Sequence, residues 1–122
     1  DLYPKAKHVI TEIDRVKLAS NALHANDLKV FGDLLKESHR SLSEDFEVSC
    51  AELDFLAKKS WALPGVIGSR MMGGGFGGCT INLIANSELQ QFQDTMYSSY
   101  KDEFDIEADF IPISLSEGAR IL

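Results

Sequence analysis

Positive charge is scarce in this sequence. Its 12 Lys and Arg residues stand against 19 Asp and Glu residues, so the formal net charge is -7 at pH 7. Proteins that hold a nucleic-acid backbone need clustered Lys and Arg, so this balance argues against nucleic acid as a partner. The chain also has no apolar run near the roughly 18 residues of a membrane-spanning helix, and we expect no membrane partner.

Cysteine is also rare. The two cysteines, Cys50 and Cys79, lie far apart and form no Cys-x-x-Cys pair, so neither a zinc site nor a dithiol redox centre is indicated. We expect both to be reduced thiols of a cytoplasmic protein. The sequence opens Asp1-Leu2-Tyr3-Pro4, without the basic start and apolar stretch of a signal peptide. It also lacks an initiator Met, so we expect a piece excised from a longer chain.

Glycine, in contrast, is concentrated in one place. The six residues from 73 to 78 contain five glycines and Phe76. Glycine is needed where φ is positive, or where a backbone or a ligand approaches too closely for a Cβ atom. The run therefore predicts either tight backbone packing or a place beside a ligand, and the residues alone leave both interpretations open.

Three phosphate-binding motifs fail on the context of this run. Gly73, Gly75 and Gly78 fit the dinucleotide fingerprint, but that motif must open a helix, whereas residues 79–85 are an apolar run typical of a strand. The Walker A spacing fails because Cys79 stands where the phosphate-binding Lys belongs. A protein-kinase glycine loop does join two strands, but no Val-Ala-Ile-Lys or Asp-Phe-Gly follows here.

The chain as a whole predicts a single domain over residues 1–122, of the α+β class, with a small antiparallel sheet covered by helices. Apolar residues recur at helical spacing in four segments: residues 8–24, a helix capped by Asn26 or Asp27 that reaches Leu42, a helix from a Ser49/Glu52 capping box to Ser60, and a helix from a Ser87/Gln90 capping box to Tyr100. The predicted strands are residues 66–70, 79–85, 106–110 and 119–122, with a turn at Ser116-Glu117-Gly118. Gly32, inside the second helix, is expected to permit a close helix crossing.

Residues 69–79 read Ser-Arg-Met-Met-Gly-Gly-Gly-Phe-Gly-Gly-Cys. They resemble the third sequence motif of the GHMP small-molecule kinases, in the form carried by the galactokinase family. The stretches 37–42, 48–50 and 52–54 are similar to the galactokinase sequence that precedes this motif, and His8-Val9 with Glu12 and Arg15 fits the helix upstream. The resemblance covers nearly the whole chain. It implies an α+β C-terminal domain of an enzyme that transfers the ATP γ-phosphoryl group to the C1 hydroxyl of galactose.

The resemblance also implies an incomplete site. In the family the main phosphate-binding motif and the catalytic Asp belong to an N-terminal domain, which these residues lack and which is the expected partner. Phosphoryl transfer with ATP and Mg²⁺ is therefore expected of the parent protein, and neither cofactor is expected to bind this piece alone. No catalytic residue or metal ligand is assigned. The residues that match the motif shaping the phosphate-binding region are Gly73, Gly74, Gly75, Gly77 and Gly78.

Other residues have a functional and a simpler interpretation. Arg70 is a candidate neighbour of the anionic site, with a surface ion pair as the alternative. His39 could act as a general base because imidazole titrates near neutrality, but we predict a packing role. Capping and solvation explain Glu44, Asp45 and Glu47 more simply than metal ligation. Met71 and Met72 are predicted to fill the core.

Two further hypotheses and a physical expectation accompany the resemblance. Galactokinase-like proteins also serve as sugar- and ATP-dependent sensors that bind a transcriptional repressor. Within the enzyme class, a kinase for a related sugar such as N-acetylgalactosamine or arabinose is an alternative. A stand-alone binding module is a third interpretation. If the glycine loop and its strand pack on a missing N-terminal domain, the isolated chain exposes an apolar patch, and we expect it to self-associate.

Overall fold

The computed structural model describes residues 1–117, 119 and 121. The elements found in those residues are α1 Tyr3–His24, α2 Leu28–Glu44, α3 Ala51–Trp61, β1 Val66–Met71, β2 Thr80–Ile84 and α4 Leu89–Phe104, with a short 3₁₀ turn at Asn86–Glu88. The predicted α+β class is confirmed, because helices pack on an antiparallel pair of strands. Within the described part of the chain, no helix combines the length and the apolar character needed to cross a membrane.

Helices α1 and α2 form the antiparallel pair that the short link between them predicts. Asp27 caps α2, and its carboxylate accepts a hydrogen bond from the Val30 amide at 3.0 Å, which satisfies one of the free N–H groups of the first turn. Helix α1 begins at Tyr3, before the predicted start at His8. Pro4 lies in its first turn, where a missing N–H has no intrahelical partner to lose.

Strand β1 pairs with β2 and packs against α2 and α3. It pairs with β2 in the register Ser69 to Asn82 and Met71 to Thr80. A Cβ atom on Gly32 would lie 1.9 Å from the carbonyl oxygen of Ile67, a distance at which the two backbones would have to separate. The close approach predicted at Gly32 is real, but it joins α2 to β1 and not one helix to another.

The buried core beneath the glycine run combines α2, α3 and β1. Leu42, Leu53 and Met71 form it, and Phe46, Val48 and Cys50 pack around them. The prediction that Met71 fills the core is confirmed. The same prediction for Met72 is wrong, because Met72 lies beyond the end of β1 and is about half exposed.

Both predicted capping boxes are wrong. The hydroxyl of Ser49 donates to the Asp54 carboxylate at 2.6 Å, and Cys50 occupies the N-cap position of α3 without a side-chain cap bond. Helix α4 begins at Leu89 after the 3₁₀ turn, and Gln90 donates to Asp94. In both cases a carboxylate accepts the hydrogen bond, and such charge-assisted bonds are stronger than bonds between neutral groups.

The strand predicted over residues 106–110 is also wrong, since no strand follows α4 in the described residues. Asp105 ends α4 in the left-handed conformation. Phe110 then lies edge-on to Phe92 of α4, with ring centroids 6.5 Å apart. Side-chain contact with a helix therefore explains the inward position of Phe110, without a neighbouring strand. The predicted strand over 119–122 and the turn at 116–118 include Gly118, Arg120 and Leu122, which lie outside the described residues.

Candidate functional site

The glycine loop, residues 72–79, connects β1 to β2. Its base is closed by a hydrogen bond from the Met72 amide to the Cys79 carbonyl at 3.0 Å. The backbone takes positive φ angles at Gly73, Gly75, Phe76, Gly77 and Gly78, between 61° and 145°. Residues with a Cβ rarely adopt this conformation. The local geometry therefore requires most of the glycines.

The backbone carbonyl of Val48 anchors the tip of the loop, and we call this contact the Val48 clamp. The Phe76 amide donates to the Val48 carbonyl at 2.7 Å, and a Cβ on Gly75 would lie 2.0 Å from the same oxygen. Gly75 therefore serves close backbone packing, one of the two interpretations of the run. The Phe76 side chain is 75% exposed, so it does not contribute to this anchoring.

The remaining glycines face open space. A Cβ on Gly73, Gly74, Gly77 or Gly78 would meet no atom within 4 Å. Gly74 also has a φ outside the left-handed region, so the described residues give no reason for glycine there. The amide groups of the five glycines have no acceptor among the described residues. The loop thus has five backbone N–H groups without a hydrogen-bond acceptor in the described part of the chain.

His39 supports the stem of the glycine loop, that is, the end of β1 at Met71. Its fully buried ring accepts the Met71 amide at Nδ1 (3.0 Å), so Nε2 carries the proton and lies 3.0 Å from the Asp54 carboxylate. Burial lowers the pKa of His39, although the Asp54 hydrogen bond opposes this effect. The neutral ring therefore connects α2, β1 and α3, and the predicted packing role is confirmed.

Asp54 is the residue that the sequence interpretation did not single out. It accepts hydrogen bonds from Ser49 at 2.6 Å and Ser43 at 2.9 Å, in addition to His39. Burial by itself would raise the pKa of Asp54, but the bonds from Ser49 and Ser43 bring it below its ordinary value. A signal was available, because His39 and Ser43 are four residues apart and must share one face of α2.

Arg70 lies beside the loop but points toward α1 and α2. Its guanidinium donates to the Ser38 hydroxyl at 3.0 Å and to the Met71 carbonyl at 2.9 Å, and it lies 3.5 Å from the Glu12 carboxylate. Burial by itself would raise the pKa of Glu12, but hydrogen bonds from Ser38 and Arg15, with the charges of Arg15 and Arg70, lower it. The ion-pair interpretation thus describes the observed geometry, and a role beside an anionic site stays a prediction.

The acidic segment before α3 is held by lysines of α1. Lys7 pairs with Asp45 at 2.8 Å, and Lys5 pairs with Glu47 at 2.6 Å. These bonds fix the stretch that carries the Val48 clamp. Among the residues that the structure describes, no group of three or more His, Cys, Asp or Glu side chains is placed to hold a metal ion.

Comparisons with known proteins agree with this geometry. A family model of the GHMP kinases C terminal matches residues 19–102. The galactokinase of Enterococcus faecalis is 46% identical over 121 residues, which cover 99% of this chain and 31% of that protein. The galactokinase of Clostridium perfringens strain SM101 is 45% identical over 111 residues, which cover 91% of this chain and 29% of that protein.

A solved structure gives the same result. The crystal structure of Lactococcus lactis galactokinase complexed with galactose superimposes with a TM-score of 0.85 and 40% sequence identity. The match covers 87% of this chain and 27% of that one. The chain thus spans less than a third of the length of these relatives. By sequence over most of its length and by fold, this chain belongs to the GHMP kinases C terminal family.

Proposed function

We propose that this chain is the C-terminal part of a cytoplasmic galactokinase, which transfers the γ-phosphoryl group of ATP to the C1 hydroxyl of galactose in the presence of Mg²⁺. The similarity to galactokinases over nearly the whole chain supports this proposal. The likeness to a galactokinase complexed with galactose supports the choice of sugar. The relatives are named as enzymes, so a sensor that binds a repressor is not favoured.

The observation that carries the proposal is the set of glycine amides in the loop that have no acceptor among the described residues. Successive backbone N–H groups in turns with positive φ form concave sites for anions. Phosphoryl transfer depends on stabilising the charge on the phosphate oxygens. Amide donors stabilise such charge best when they are already in position. The Val48 clamp and the His39 bond to Met71 hold the loop at its tip and at its stem.

We divide the catalytic groups between this chain and the remainder of the parent protein according to the groups that the described residues supply. The loop supplies neutral donors, and Arg70 is engaged with Glu12 and Ser38. The Asp54 carboxylate is engaged as well, because it accepts hydrogen bonds from Ser43, Ser49 and His39. We assign the base, the metal ligands and most sugar contacts to the remainder of the parent protein. The chain then forms one wall of the site.

Gly74 provides the sharpest test of this role. We expect Gly74→Ala in the full-length parent protein to lower kcat/KM for ATP by about tenfold or more, since a Cβ there would occupy space used by the phosphates or by the facing domain. The thermal midpoint should stay near that of the wild type, because the described residues leave the position open. Release of ADP with galactose as acceptor measures the activity, and calorimetry measures the stability.

Gly75→Ala is the matched control. Its Cβ would collide with the Val48 carbonyl, so activity and stability should fall together. A Gly74→Ala enzyme with unchanged kinetics would contradict the role of the loop. Assays of the unmodified parent with galactose, N-acetylgalactosamine and arabinose test the substrate, and an enzyme that phosphorylates either of the other sugars better than galactose would contradict that part of the proposal.

A further inference from the structure

The outer side of α1, with its N-cap residue Leu2, carries a line of exposed residues that are apolar except for Ser20. Starting at residue 2, its members are alternately four and three residues apart, so they lie in one line along the helix. All seven are exposed, and Val16 is 62% exposed and Ile13 53%. We call this surface the outer stripe: Leu2, Ala6, Val9, Ile13, Val16, Ser20 and Leu23.

The inner side of α1 is polar where it meets α2. The buried His8 ring lies 2.9 Å from the Ser41 hydroxyl. Glu12 accepts from Ser38 at 2.7 Å, and Arg15 donates to Glu12 at 2.9 Å. Amphipathic helices of soluble proteins normally turn their apolar side toward the core. Helix α1 does the opposite within this chain, and specific hydrogen bonds fix that orientation.

The hydrogen bonds on the inner side hold α1 in its observed rotation, with the outer stripe exposed. A rotation of α1 about its axis could bury Val9, Ile13 and Val16 against α2. It would, however, break the hydrogen bonds of His8 and Glu12. Contiguous exposed apolar surface of this kind marks an interaction site in soluble proteins. The four-and-three spacing is that of a seam between two packed helices.

We infer that the outer stripe is the docking surface for an apolar-faced helix from the part of the parent polypeptide that lies outside residues 1–122. This inference rests on the proposed function, in which the chain is part of a longer galactokinase. The match to the Enterococcus faecalis protein covers 99% of this chain and therefore includes α1, yet more than two thirds of that protein lies outside the match. The parent protein therefore has ample sequence to cover the stripe.

Thiol labelling of the full-length parent protein tests the inference. Val16→Cys places a small apolar thiol on the stripe, and Asp14→Cys places one on another side of the same helical turn. Their native side chains are similarly exposed in this chain, Val16 at 62% and the Asp14 side chain at 67%. With a maleimide under native conditions, we expect Val16→Cys to react at least about tenfold more slowly than Asp14→Cys, because covered thiols react only after local opening.

Three controls make the result decisive. The two rates should become equal in denaturant, which excludes a difference in intrinsic reactivity. Ser20→Cys repeats the measurement on the stripe with a nearly isosteric change, in case Val16→Cys lowers stability. Equal native rates at positions 14, 16 and 20 would overturn the inference. Protection that disappears on dilution would assign the stripe to a second copy of the chain and would also overturn it.

The labelling result is independent of the chemistry. Galactose phosphorylation by the unmodified parent tests the proposed function, and it needs no modified thiol. An active kinase with an unprotected stripe would refute the docking inference alone. A protected stripe in a protein without kinase activity would refute the proposed function alone.

Discussion

Helices α1 and α2 have the same kind of sequence pattern. Helix α2 turns its apolar side toward the core, whereas α1 turns its apolar side away from it. Both repeat apolar residues at helical spacing. In α2 the side that meets β1 and α3 includes Gly32, His39 and Leu42, all buried. In α1 the buried residues are His8 and Ala22, and the outer stripe faces away. The contrast teaches that periodicity identifies an apolar face, whereas the neighbouring elements decide whether that face is covered within the chain.

Removal of one aliphatic side chain from each helix should give the largest difference. In the 122-residue chain, we expect Leu42→Ala to lower the free energy of unfolding by about 2–5 kcal/mol, because it leaves a cavity among buried neighbours. Val16→Ala should change it by less than about 0.5 kcal/mol, as at other exposed positions. Urea denaturation of both variants measures the two values. Similar losses for the two variants would show that the outer stripe is buried in solution.

The backbone contact of α2 should produce the next largest effect. Alanine normally stabilises a helix by about 1 kcal/mol relative to glycine, but a Cβ at Gly32 would meet the Ile67 carbonyl at 1.9 Å. We therefore expect Gly32→Ala to destabilise the chain by about 1–3 kcal/mol, as overpacking does. Ser20→Ala on the exposed side of α1 is the control and should be neutral or slightly stabilising. A stabilised Gly32→Ala variant would mean that α2 and β1 are farther apart than described.

A smaller effect, the pH dependence of stability, comes from the buried histidines of the two helices, His8 and His39. Burial lowers the pKa of both His8 and His39, so on acidification the unfolded chain binds these protons before the folded chain does. Stability should therefore be insensitive to the two rings above pH 6.5 and should fall as the pH drops below that value. Protonation of Nδ1 would also remove the acceptor of the Met71 amide.

Thermal midpoints at pH 7.5 and 5.5 measure this dependence. His39→Asn keeps an acceptor near Met71 and removes the titrating group, so its midpoint should fall less on acidification than that of the wild type. The exposed His24→Gln serves as the control. The charged groups that act on His39 are Asp54 and Lys58 of α3 and Arg70 of β1, and all three are retained. An unchanged pH dependence in His39→Asn would exclude His39 as its source.

The sequence predicted the elements well where local chemistry decides them. The Asp27 cap, the end of α3 near Pro64-Gly65 and the two strands around the glycine run follow from turn chemistry and apolar spacing. The capping boxes failed because Ser49 and Gln90 found carboxylate partners, Asp54 and Asp94, and a pattern that spans four residues does not reveal competing acceptors.

The glycine loop was only partly predictable for a similar reason. Its composition indicated positive φ or close approach, and the structure uses both, at different glycines. The partner of the close approach is the backbone carbonyl of Val48, which lies 27 positions before Gly75 in the sequence. The bond between His39 and the Met71 amide also joins distant residues. Local side-chain patterns do predict a cap such as Asp27, but they do not specify contacts with a backbone carbonyl or amide that is distant in the sequence.

The segment from Asp45 to Val48 contacts both helix α1 and the tip of the glycine loop. On one side Lys5 and Lys7 of α1 hold it through the Phe46 carbonyl, Glu47 and Asp45. On the other side the Val48 carbonyl holds the tip of the glycine loop. The segment therefore links α1 to the tip of the glycine loop, although α1 and the tip share no hydrogen bond in the described residues. We expect a change in the position of α1 to reach the loop amides through these four residues.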